Sequence, residues 1–235
     1  YLRARYYNPI IGRFTQEDVY RGDGLNLYAY CGNNPVEYCD FSGYARKAKP
    51  IIIEDNYLVS KTLERVTNGT NIIPTGEEFN KWFDKLTVTE ITELYSHPAT
   101  KNKIKDLLRG DGGMHEWFMV SKAPVFKSWG MTADDIMKAV TPTSEVNFYN
   151  ILTKEGFSDG VHGIATATVS SNAHLQISNL IESSNSKEEF MKKLGDWAEE
   201  HYARSIVKDN LVEIRAGKKG LPEEFKDKTK KCMKK

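Results

Sequence analysis

Residues 1–44 read YLRARYYNPIIGRFTQEDVYRGDGLNLYAYCGNNPVEYCDFSGY, and the turn signals in them decide how the rest of the chain is divided. Asn8-Pro9, Gly12, Gly22-Asp23-Gly24 and Asn33-Asn34-Pro35 punctuate short alternating apolar runs such as RFT and LNLYAY. This pattern predicts roughly four short antiparallel strands joined by tight turns. A segment of that size buries too little apolar surface to stand alone, so it is expected to pack on the remainder of the chain or on an N-terminal partner.

Beyond it, residues 45–235 suit a single globular unit, entered through the basic linker ARKAKP at 45–50. PIIIEDNYLV is expected to open with a short strand, and a helical half follows. Thr75 with Glu78 has capping-box spacing, Thr89 starts a second helix through EITELYSH, and Pro98 opens a third that stops at Gly110. After RGDGG the character changes. MHEWFMV reads as a strand with Glu116 on one face and His115 and Trp117 on the other, followed by a helix near Thr132 and a strand-like SEVNFYNIL. Then come a loop EGFSDGVHGIA, a helix from about Ser171 and a long helix from the Ser186/Glu189 capping box through HYARSIV. The mixture predicts an α+β fold.

Net charge is +1, with 33 basic against 32 acidic side chains, which gives no global polyelectrolyte signal. The last residues are the exception, since Lys230, Lys231, Lys234 and Lys235 crown a basic tail that would favour a phosphate backbone; a solvated terminus is the plainer reading. Three cysteines make no even set and read as free thiols. No apolar run approaches the length of a membrane span.

The first 44 residues closely resemble the C-terminal edge of the Rhs repeat-associated core of bacterial polymorphic toxins. YLRARYYNP, GRF, DGLNLYAY and GNNPVEY stand in that family's order and spacing. The resemblance implies a β-cage around a variable C-terminal toxin, an intramolecular aspartyl protease that frees it, and a cognate immunity protein in the producer. It also implies secretion or cell-surface delivery, with action in the cytoplasm of a target cell. The family's paired DPxGL elements correspond to DVYRG at 18–22 and DFSGY at 40–44, which makes Asp18 and Asp40 the cleavage carboxylates and places the cut after Tyr44. Val19 and Phe41 stand where the family has proline, Tyr44 where it has leucine, and Asn8 where it has aspartate. Two carboxylates sharing a proton can drive water onto an amide; the same aspartates also suit turn positions beside glycine.

Residues 45–235 are then the effector. The chain has no Walker loop, dinucleotide glycine fingerprint, HExxH or GxSxG, and its scarce histidines carry the chemistry. His97, before a proline, and His201, in EEHYAR, read as structural or solvated. His115 after a glycine turn, His162 in a loop and His174 on a following helix resemble the ββα-metal nucleases of the HNH class. By that resemblance His115, with Glu116 beside it, is catalytic, while His162 and His174 hold a divalent metal, Mg or Zn, with Asn172 or Asp159 as auxiliaries. Two alternatives stand beside this reading. One is a metal-independent ribonuclease using His115 with His162 or His174, and Lys122 or Lys127 on the phosphate; the other is a non-catalytic binding module. The expected partners are therefore nucleic acid, the immunity protein and the remainder of the cage.

Overall fold

The computed structural model describes residues 4–19, 26–36, 38–40, 42–110, 112–161, 167–208 and 211–225. His162, Lys230, Lys231, Lys234 and Lys235 lie outside them, as does the expected turn at 22–24. The fold is α+β, and the chain divides into two compact units, Tyr1–Ile72 and Ile73–Lys235. Residues 45–72 thus gather with the first 44. No helix among the described residues is long and apolar enough to cross a membrane.

In the first unit, strand β1 (Tyr7–Asn8) pairs with β2 (Arg13–Phe14), and β3 (Tyr38–Cys39) pairs with β4 (Lys47–Ala48), both antiparallel. The first turn forms because the Asn8 side chain accepts from the Ile10 amide at 2.9 Å and Gly12 takes a positive φ of 66°. Phe14 is the buried centre, with Tyr7 and Tyr30 edge-on to it at 5.9 and 5.7 Å. Cys31 and Cys39 are buried free thiols, and burial pushes the Cys31 thiol upward. The expected strand at 51–53 is absent: the Ile51 amide reaches the Asn71 carbonyl at 2.8 Å. Helix α1 (Tyr57–Val66) follows, with Asn56 as its N-cap.

The second unit opens with α2 (Glu77–Lys85), α3 (Val88–Tyr95) and α4 (Pro98–Arg109). Their apolar stripes, Phe79 and Phe83, Ile91 and Leu94, Ile104 and Leu108, are all buried. Two starts differ from expectation. Gly76, at φ 62°, caps α2 without a side-chain bond, and the capping box on α3 joins Thr87 to Glu90 rather than beginning at Thr89. Strand β5 (Met114–Glu116) follows the glycine turn. Helices α5 (Ala123–Ser128) and α6 (Ala133–Lys138) come next, the latter capped by a Thr132/Asp135 box. Strand β6 (Val140–Pro142) returns to pair with β5.

The main sheet runs β10–β9–β7–β8, antiparallel throughout. Its strands are β7 (Val146–Thr153), β8 (Gly156–Val161), β9 (Tyr202–Lys208) and β10 (Leu211–Ala216). Three of these assignments correct the sequence reading. Residues 156–161 form a strand rather than a loop, because Gly156 at φ 109° closes a tight hairpin onto β7. Helix α7 (Ala167–Glu182) starts earlier than Ser171. Helix α8 (Lys187–His201) stops where Tyr202 turns extended and buried against the sheet, so HYARSIV changes from helix to strand. Both helices lie on β7, over a core of Phe148, Ile151, Ala173, Ile177, Leu194 and Ala198.

Candidate functional site

Register sets the site in the second unit. His115 stands opposite Thr141 in the β5–β6 ladder, and strand alternation sends His115 and Trp117 inward while Glu116 points away. His115 is only 2% exposed, and Trp117 and Thr141 are fully buried. The Trp117 Nε1–H donates to Thr141 Oγ1 at 2.9 Å, and burial holds the Tyr202 phenol above its usual pKa. Tyr202 in turn donates to the Gly220 carbonyl at 3.3 Å. This network fixes the Trp117 ring, which meets the His115 ring edge-on at 4.5 Å.

Helix α7 brings His174 to this wall. Its Nε2 lies 3.2 Å from His115 Nδ1, and the two rings are within 11° of parallel. Phe148 of β7 closes on both, at 5.8 Å from His115 and 6.4 Å from His174. Trp197 of α8 backs Phe148 at 6.1 Å and is itself held by a 2.8 Å bond to Gln176. Since a neutral imidazole has one donor and one acceptor nitrogen, one ring can donate to the other here, which joins an enclosed ring to a half-buried one.

Other expected participants lie elsewhere. Glu116 binds the Arg109 guanidinium and accepts from the Val120 amide at 3.3 Å. Its charge, after burial, helps raise the pKa of Tyr95. Asn172 donates to the Thr168 carbonyl within its own helix, at 2.7 Å, and Asp159 accepts from the Asn150 amide at 2.9 Å in the β7–β8 irregularity. Lys122 pairs with Glu182, and Lys127 donates to the Phe83 and Asp84 carbonyls at the end of α2. His97 caps α4 by accepting from the Ala99 amide, and His201 Nδ1 faces the Tyr149 carbonyl at 3.0 Å.

His115 and His174 offer two nitrogens to a metal, and among the described residues no group of three histidine, cysteine or acidic side chains could hold one. His115 also sits outside the ββα arrangement expected for it. His174 stands on α7, which packs on the β7–β8 hairpin, whereas His115 arrives on the separate β5–β6 ladder.

In the first unit the structure joins Asp18 and Asp40 through a residue the sequence reading missed. Arg5 Nη2 lies 2.7 Å from Asp18 Oδ2 and 3.5 Å from Asp40 Oδ2, with all three side chains buried. Its Nη1 donates to the Leu27 carbonyl at 2.9 Å, its Nε to the Gly43 carbonyl, and its guanidinium lies 3.6 Å from the Phe14 ring centre. The available signal was charge: two aspartates in a Tyr-rich, core-forming segment need a buried cation, and the RARYY motif supplies one.

Comparison of the chain with protein families, with curated proteins and with solved structures finds no match.

Proposed function

We propose that the chain is the C-terminal part of an Rhs-family polymorphic toxin whose effector, residues 45–235, cleaves RNA in the cytoplasm of a competing cell. The order of motifs in residues 1–44 supports the family. Support for the chemistry comes from one observation: His115 and His174, 59 positions apart, meet at 3.2 Å. RNA carries its own nucleophile, the 2′-hydroxyl, and needs only a base to take its proton and an acid to protonate the leaving 5′-oxygen. The half-buried His174 is the ring that substrate reaches; the enclosed His115 orients it and holds the second proton position. Delivery from outside the cell, release from the cage by cleavage at the Asp18/Asp40 site, and neutralisation by an immunity protein belong to the same proposal.

A second reading keeps a divalent metal. The hairpin β7–β8 and helix α7 form a ββα unit with His174 on the helix, and nitrogens 3.2 Å apart suit two ligands at about 2.0–2.1 Å from one Zn²⁺. Incubation of the purified chain with total RNA and plasmid DNA separates the readings, with chelator or with Mg²⁺ or Zn²⁺, beside His115→Ala and His174→Ala. RNA cleavage that survives chelator and is lost in both variants is expected. Cleavage that requires metal favours the second reading, and intact nucleic acid under every condition rejects the nuclease in favour of a binding module.

A further inference from the structure

Strand β10 reads LVEIRA at 211–216 and forms one edge of the main sheet, paired with β9 alone among the described strands. The opposite edge, β8, is guarded against further pairing. Its register with β7 shifts between Phe148 and Ile151, and its sequence GFSDGV carries two glycines and Asp159. In β10 there is no proline, glycine or lysine, and Leu211, Val212 and Ile214, with Val207 across the hairpin, are each 62–74% exposed. An edge of this kind is a template for another strand.

Register decides which strand fits. Lys208 and Leu211 are partners with two residues between them, so they close the hairpin as a hydrogen-bonded pair. Alternation then turns the N–H and C=O of Val212, Ile214 and Ala216 to the open edge. An antiparallel copy of β10 bonds all of these groups when the two-fold axis passes through Ile214, which sets Val212 opposite the partner's Ala216. An axis through Glu213 or Arg215 bonds fewer of them and sets Glu213 against the partner's Glu213, or Arg215 against the partner's Arg215. The Ile214 axis instead places each Glu213 opposite the partner's Arg215, the opposite-charge arrangement that stabilises cross-strand pairs. Within one strand these two side chains already bond, Arg215 Nε to Glu213 Oε1 at 2.7 Å and Nη2 to Oε2 at 3.2 Å, so two copies make an alternating row of charges. Val207, Val212 and Ile214 share the other face and run on into the same residues of the second copy.

We propose that the chain forms a two-fold symmetric dimer by antiparallel pairing of β10 with β10 of a second copy, in the register centred on Ile214. The four-stranded sheet is thereby doubled and its open edge removed, with roughly six backbone hydrogen bonds across the junction. Self-complementarity of charge, backbone and apolar face in one register is what a two-fold interface requires.

Sedimentation velocity of the full 235-residue chain over a concentration series, beside Glu213→Arg, Arg215→Glu and an equimolar mixture of the two variants, tests the register. A species of twice the 26.7 kDa chain mass is expected. Each variant alone sets like charges opposite one another and should raise the dimer dissociation constant at least about 10-fold. The mixture should associate as the unaltered chain does, because every facing pair is again of opposite sign, and that recovery separates lost pairing from lost folding. The amides of Val212, Ile214 and Ala216 should gain hydrogen-exchange protection as concentration rises, while that of Glu213, turned to β9, should not. A chain that stays at 26.7 kDa up to roughly 0.1 mM overturns the second copy as occupant of this edge. A dimer that both variants leave intact, or that their mixture fails to restore, overturns the β10 register.

Discussion

Replacing Thr141 by valine keeps the shape of a fully buried side chain and removes one oxygen, which tests the wall behind His115 with little change in packing. In the native structure that oxygen accepts the Trp117 indole proton at 2.9 Å. Tyr202 keeps its bond to the Gly220 carbonyl, whereas the indole N–H is left without its acceptor in a residue with no solvent exposure. An orphaned buried donor costs about 1–3 kcal/mol, so Thr141→Val is expected to lower stability by that amount. For a unit of this size the melting temperature should fall roughly 2–12 °C. Urea titration followed by tryptophan fluorescence measures the loss, with Thr141→Ser as the control that keeps the oxygen. The partner change Trp117→Phe should cost less in the Thr141→Val background than alone, by at least about 0.5 kcal/mol. A loss below about 0.5 kcal/mol, or a strictly additive cycle, refutes the network as the support of His115.

Two further outcomes follow from other parts of the second unit. Gly217 takes a φ of 60°, and a methyl group there would meet the Glu199 carboxylate at 2.3 Å and its Cα at 3.2 Å, so Gly217→Ala should cost about 1–3 kcal/mol in the same urea titration. Glu189 at the start of α8 has its pKa lowered from 4.5 to about 2, first by Lys193 and then by the Asn185 amide. A depressed folded-state value stabilises above the unfolded pKa and is lost as pH falls through the folded one. Protection of the first turn of α8 against hydrogen exchange, taken relative to the intrinsic amide rate at each pH, should therefore fall as pH drops from 4.5 toward 2, and this loss should vanish in Glu189→Gln.

Local signals in the sequence were readable where the chain satisfies itself nearby. Pro98 and Gly110 bracket α4, and the Thr132 box starts α6, because caps and breakers act within a few residues. The β9–β10 hairpin was not readable. Almost every residue of β10 is exposed, so it shows no in-and-out alternation, and HYARSIV continues the polar and apolar rhythm of α8 until Tyr202 is captured by the sheet. Pairings such as Phe148 with Tyr202 are set by tertiary packing that no window contains. The candidate site divides in the same way. His115 and His174 stood out as scarce residues in suggestive contexts, while their contact depends on β5 meeting α7. Glu116 looked like a companion of His115 by adjacency, yet strand alternation sends neighbours to opposite faces. Arg5 carried no signal in isolation and acquired its place only when residues 5, 18 and 40 were folded together.

The paired imidazoles are the centre of the account, and RNA cleavage by His115→Ala, by His174→Ala and by the double variant tests them most directly. Residues that work as a unit lose activity together. The double variant is expected to be no slower than His174→Ala alone, with each single change costing at least about 100-fold. Activity retained in either single variant, or losses that multiply in the double, would contradict a site built on the His115–His174 contact.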